Sequence, residues 1–184
     1  MKELSLHILD VAKNSVKAGA SLIEISVITN GDGIMTVKIK DDGCGMTEEV
    51  LARVTDPFYT TRTTRNVGLG IPLLKLAAEQ TGGEVTITSK HESEYPEEHG
   101  THVTATFYKK HIDFTPMGDI ISTVTTNIQG RPDIDFDFKH KSNAFEVSLD
   151  TREVREVLGP EIPLSEPEIL LWIADNLSEQ YKNI

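Results

Sequence analysis

The sequence predicts an α+β fold with a small C-terminal extension of the same class. Three observations predict it. The chain opens on a helical period, two pairs of alternating strands follow with helices set between them, and the pattern changes character near residue 109. The expected division is a first domain over residues 1–108 and a second, smaller α+β domain over 109–184.

Residues 4 to 18 read as a helix, with Leu4, Ile8, Val11, Ser15 and Ala18 on one face and His7, Asp10, Asn14 and Lys17 on another. Gly19 is placed to end it. Ile23, Ile25 and Val27 then alternate in a strand over 22–28, and Asn30-Gly31-Asp32-Gly33 supplies a hairpin turn. Met35, Val37 and Ile39 form the answering strand. Asp41-Asp42-Gly43-Cys44-Gly45 follows, and Thr47 with Glu48 and Glu49 opens a short helix to Val54. Residues 55–69 lack periodicity and read as a long loop of the kind used for lids. A helix over 70–81 carries Pro72 in its first turn and Gly82-Gly83 at its end. Strands are expected over 84–89 and 101–108. Beyond residue 109 come a helix over 117–128, a hairpin from 134–138 and 144–149, and helices over 151–158 and 165–181. Ile169, Leu170, Trp172, Ile173 and Leu177 make an apolar stripe on the last helix, read as core in preference to a partner-binding face.

Composition narrows the functions. At 38% hydrophobic and 26% charged, the 184-residue chain reads as a soluble globular protein with a core. No apolar run reaches the roughly eighteen residues of a spanning helix, and the charged N-terminus does not read as a signal peptide. One cysteine excludes an internal disulfide, which points to the cytoplasm. The net charge is −11, with fifteen acids and ten bases before residue 109 and fourteen and eight from it onward. Acidity spread over both parts argues against nucleic acid or a membrane surface as the main partner.

Three short stretches carry chemistry. Asp41, at a strand end beside glycines, can accept a hydrogen bond from the amino group of a planar ring; the alternative is a helix-capping turn. Gly68-Leu69-Gly70 precedes a helix, where free N–H groups and the dipole suit phosphate, and Arg62 and Arg65 could add charge; the alternative is a flexible helix start. Asp10 and Asn14, one turn apart, can hold Mg²⁺ or orient a water; the alternative is a solvated face. His99 and His102 lack a further ligand at zinc spacing, and Cys44 is read as a small side chain in a tight place, or as a redox-sensitive thiol.

Order and spacing join these stretches. HILDVAKNSVKAGA, DDGCG, DPFYTTR, NVGLGIPLLKLAAEQTGG and Gly100-Thr101 resemble the N-box, first glycine box, F-box, second glycine box and closing glycine-threonine of the GHKL ATPases (gyrase, heat-shock chaperone, histidine kinase, MutL). The resemblance covers residues 4 to about 108 and is nearest the histidine-kinase and anti-sigma-kinase branch. It implies a Bergerat-type two-layer α/β sandwich, a mixed sheet with helices on one face, that binds Mg-ATP beneath a lid. Asp41 would recognise the adenine amino group, Gly45 would admit the ring, and Thr101 would support the pocket. Asn14 would be the metal ligand, backbone near Gly68, Leu69 and Gly70 would cradle phosphate, and Lys17, Gly43, Met46 and Thr61 would complete the nucleotide contacts. Arg62 would reach the γ-phosphate, and Asp10 stands where gyrase and MutL have the glutamate that activates water. Lys13, beside the asparagine, alters the local field.

Sensor kinases carry a dimerisation hairpin with the phosphoacceptor histidine before the N-box. Three residues precede it here, so a stand-alone form is expected, with the acceptor on a separate protein. His7 shares the face of Asp10 and Asn14 and is within reach of a nucleotide there, but is disfavoured as an acceptor. The resemblance implies an ATP-binding, Mg²⁺-dependent kinase-like or ATPase activity, regulatory and directed at an unidentified protein, with homodimerisation left open. The alternative is a nucleotide-sensing module with little turnover.

Overall fold

Alternation sets the sheet and decides which side of it is buried. In β1 (Leu22–Thr29) and β2 (Ile34–Asp41), Ile23, Ile25, Val27, Met35, Val37 and Ile39 are buried, whereas Lys38 and Lys40 between them are exposed. The computed structural model describes residues 3–56 and 69–182. β3 (Val85–Lys90) and β4 (Gly100–Tyr108) repeat the pattern, with Val103, Ala105 and Phe107 inward. Among the described residues the sheet has six strands in the order β3-β4-β2-β1-β5-β6, where β5 is Asp135–Lys141 and β6 is Glu146–Asp150. Its pairs are antiparallel except β1–β5, so the sheet is mixed.

Helices cover the apolar side. α1 (Leu4–Lys17) buries Leu4, Ile8, Val11 and Ser15 and packs against α3 (Gly70–Gln80) and α4 (Ile120–Gly130). α6 (Pro167–Lys182) continues the layer beyond α4. The other side carries polar pairs such as Lys40 with Glu24, 2.7 Å apart. The expected two-layer sandwich is the observed one.

Helix boundaries follow local chemistry. α2 (Glu48–Arg53) starts where the Thr47 hydroxyl accepts from the Val50 amide at 3.4 Å. α4 begins three residues later than its periodicity predicts, because Gly118 has φ +74° and Asp119 caps the helix by accepting from the Ser122 amide at 2.9 Å. α5 (Thr151–Leu158) is capped by Asp150 and stopped by Gly159. α6 starts at Pro167, a residue suited to a first helical position.

Residues after 109, expected as a second unit, extend the first sheet. Leu22 to Ile28 pair in register with Asp135 to Lys141. Phe136 and Phe138 join the same apolar cluster as Ile23 and Ile25. The start of α1 is tied to this region as well: the Leu4 and Ser5 amides donate to the Pro116 and Met117 carbonyls at 2.9 and 2.8 Å.

Asp42, which sequence reading left without a role, fastens the start of β1. Its carboxylate accepts from the Ser21 and Leu22 amides at 2.7 and 2.9 Å and from the Ser21 hydroxyl. Burial pushes its pKa up, but these donors outweigh that and hold the carboxyl below its ordinary value. A lowered folded-state pKa stabilises the protein above the unfolded value and is lost as pH falls through the folded one. Asp42 is exposed and its contacts are screened by water, so Asp42→Ala should cost no more than about 1 kcal/mol near neutral pH in denaturant unfolding. The gap from the parent should narrow below about pH 4; a gap unchanged in acid would refute an ionic clamp.

Candidate functional site

The inward row of β2 runs Met35, Val37, Ile39, Asp41, so strand period alone carries a carboxylate onto the apolar side of the sheet. Asp41 is 7% exposed. Its neighbour across β4 is Thr101, and Ser89 follows on β3. At this end of the sheet the aliphatic rows give way to polar side chains.

Asp41 is held from two sides. The Ser15 hydroxyl on α1 donates to Oδ2 at 2.5 Å, and the Gly43 amide donates to Oδ1 at 3.0 Å. Each carboxylate oxygen retains a second acceptor site. Ser89 links the other side: its Oγ accepts from the Met46 amide at 2.8 Å and lies 2.9 Å from both the Gly100 carbonyl and the Thr101 hydroxyl.

Asp41 opens into a cavity of about 420 Å³. Val11, Val50, Val54, Ile71 and Val103 give it apolar walls, and Asn14, Lys17 and Thr101 add polar groups. A flat, largely apolar ring bearing one amino donor suits such a space, with the carboxylate as its polar anchor.

The glycine turn is compressed against two neighbours. Gly45 has φ +70°, and a Cβ there would lie 1.9 Å from the Lys90 carbonyl oxygen. At Gly43 a Cβ would come within 2.7 Å of the Ala18 Cβ. The loop after β3 closes on this turn through Glu92 N–H to the Cys44 carbonyl at 2.9 Å and His99 Nδ1 to the Gly43 carbonyl at 2.6 Å. Since a carbonyl only accepts, Nδ1 of His99 is the donor in this contact. Burial, then Glu92 and Asp41, push the Cys44 thiol up. That favours the packing role for Cys44 over a reactive thiolate.

At the other end, α3 opens at Gly70 with no side-chain cap among the described residues, and a helix start of this kind suits an anion. Gly70 abuts the turn of α1 bearing Asp10; a Cβ on it would lie 3.0 Å from the Asp10 Cβ. Asp10 itself is partly exposed, lies 3.8 Å from Lys13 and does not line the cavity. His7 does not line it either. It is buried, its Nδ1 lacks a hydrogen-bond partner among the described residues, and burial lowers its pKa.

Of the residues singled out from sequence, Asn14, Lys17, Asp41, Gly45, Met46 and Thr101 line one cavity. Gly43 sits behind it, holding Asp41. Leu69 and Gly70 form the start of α3, whose next residue, Ile71, lines the wall. Thr61, Arg62, Arg65 and Gly68, with most of the expected lid, lie outside the described residues. Sequence reading missed Ser15, Ser89 and His91. Ser15 appeared only as a buried helix position, and alternation in β3 was the available signal for Ser89. His91 lines the cavity from an irregular loop, where no periodicity marks it. Among the described residues, no three His, Cys, Asp or Glu side chains gather as a metal site.

The profile of the family described as "Histidine kinase-, DNA gyrase B-, and HSP90-like ATPase" matches residues 2–111. Sporulation kinases E and B of Bacillus subtilis are each 31% identical over 90 residues, which are 49% and 47% of this chain. The match spans only 12% and 21% of those kinases' lengths. In structure, the chain is similar to the Aquifex aeolicus MutL ATPase domain complexed with ADP, at a TM-score of 0.56 and 12% identity over 86% of this chain and 69% of that one. The N-terminal domain of a DNA repair protein gives 0.59 and 16% identity over 87% of this chain and 58% of that one. These likenesses are of fold, and at 86–87% of this chain they reach past residue 111.

Gly45→Ala should destabilise the protein by more than about 2 kcal/mol, because it adds a strained φ to a collision with backbone. Thermal unfolding measures this, and an unshifted melting temperature would show that the glycine turn does not pack on Lys90.

Proposed function

This chain belongs to the histidine kinase-, DNA gyrase B- and HSP90-like ATPase family, and we propose that it binds Mg-ATP around Asp41 and acts on the γ-phosphate in service of a separate regulatory partner. The observation that carries this reading is the buried Asp41 carboxylate, held by Ser15 and Gly43 yet open to the cavity. It would accept from the exocyclic amino group of adenine, while Val11, Ile71 and Val103 sandwich the ring.

The phosphates would run toward Asn14, Lys17 and the start of α3. Asn14 is the protein ligand in this proposal; with no acidic cluster nearby among the described residues, the remaining ligands would be phosphate oxygens and water. Mg²⁺ would neutralise charge on the transferring phosphoryl group. Arg62 would add charge at the γ-phosphate, and Asp10 would orient a water or an incoming acceptor. Likeness to two proteins named as sporulation kinases supports phosphoryl transfer; transfer to a separate protein and a cytoplasmic setting belong to the same proposal. Among the described residues no helix is long and apolar enough to cross a membrane.

One observation favours a second reading. Asp10 is ion-paired with Lys13 and stands outside the cavity lining, an arrangement suited to slow turnover. The chain would then sense ATP and report its binding.

Asp41→Asn should keep the fold, since an amide can still meet Ser15 and the Gly43 amide, but weaken ATP about a hundredfold or more in calorimetry. Unchanged affinity would show that the base binds elsewhere. Asn14→Ala should remove most of the Mg²⁺ dependence of binding. ATP labelled at the γ-phosphate separates the readings: label on a partner means kinase, released phosphate means ATPase, and retained ATP means sensor.

A further inference from the structure

A second hollow, of about 800 Å³, lies far along the sheet, between α5, α6 and the strands β5 and β6. Its apolar lining includes Val154, Val157, Ile169 and Trp172. The Trp172 side chain was expected in the core, but it is 53% exposed, while Ile173 and Leu177 on the same helix are buried. Val157 is 86% exposed and Leu171, beside the tryptophan, 63%. α5 and α6 thus bury one flank and leave a second apolar strip in water.

Charge surrounds that strip. Residues 151–182 hold seven carboxylates against three basic side chains. Two of the three are engaged internally: Arg152 with Asp150 and Arg155 with Asp135. Glu153 and Glu168 line the hollow from opposite helices and form no ion pair among the described residues. An apolar floor with an aromatic anchor and an acidic rim matches a partner of opposite charge.

The edge of the sheet narrows the mode of binding. β6 is an outer strand, and the Gln180 side chain accepts from the Ser148 amide at 2.9 Å and donates to the Ser148 carbonyl at 3.0 Å. It occupies the place a further strand would take. Asn176 holds this amide at 2.8 Å. An occupant must therefore use side chains, as an amphipathic helix does in a groove.

We propose that the hollow between α5 and α6 docks a basic amphipathic helix of a partner protein, its apolar face on Trp172 and Val157 and its cations on Glu153 and Glu168. A second copy of this chain fits less well, because it would bring acidic rims together on a protein of net charge −11. The site lies outside the residues matched by the family profile and does not depend on how the nucleotide is used.

Trp172 is the chain's single tryptophan, so its fluorescence reports on the site directly. The full chain should show a saturable blue shift when titrated with a synthetic leucine-lysine amphipathic helix, and none with its leucine-glutamate counterpart. Val157→Asn, and separately Glu153→Lys with Glu168→Lys, should each weaken the response about tenfold while leaving circular dichroism and ATP binding unchanged; all three residues are exposed. No shift, an equal response to both peptides, or variants that bind like the parent would overturn the proposal. So would a shift that appears without peptide as protein concentration rises, with a dimer by sedimentation, which would assign the face to a second copy.

Discussion

The site depends on burying a carboxylate at the end of an aliphatic row. Desolvating a lone carboxylate costs several kcal/mol, so Asp41 requires donors from its surroundings. Ser15 brings one from the helix layer and Gly43 one from the turn, so α1, β2 and the glycine turn must all be in register for the charge to be tolerated. The same two bonds aim the carboxylate into the cavity. Stability and recognition thus rest on one geometry.

The remaining contacts support that geometry. Ser89 ties Met46 to the start of β4, His99 and the Glu92 amide press on the glycine turn, and Asp42 anchors the beginning of β1. The wall opposite is formed by short aliphatic side chains from three helices, which impose shape without adding competing polarity.

Much of this was legible in the residues, for identifiable reasons. Alternation in β1 and β2 names their buried side chains, and continuing it by one step places Asp41 on that side. Helical period puts Ser15 inward and Asn14 toward the neighbouring face. What period cannot reveal is pairing between distant elements. Nothing local announces that Ser15 meets Asp41, or that β1 receives β5 as its parallel neighbour. Trp172 illustrates a second limit: an apolar stripe wider than its contact leaves one flank outside, and spacing does not say which. The position of α4 was displaced by Gly118 and Asp119, a turn and a cap that outweigh a periodic run.

The parallel ladder between β1 and β5 has a consequence for how the chain reaches this state. β1 and β2 form a hairpin from neighbouring sequence, whereas Leu22 waits for Asp135, more than a hundred residues later. During synthesis the hairpin would leave the ribosome with one row of amides and carbonyls unsatisfied and isoleucines close by. Such an edge invites pairing with another nascent chain until the late strand arrives to seal it. Closure over such a span carries an entropic cost that the local hairpin does not, and a chain cut short before residue 135 would leave that edge open.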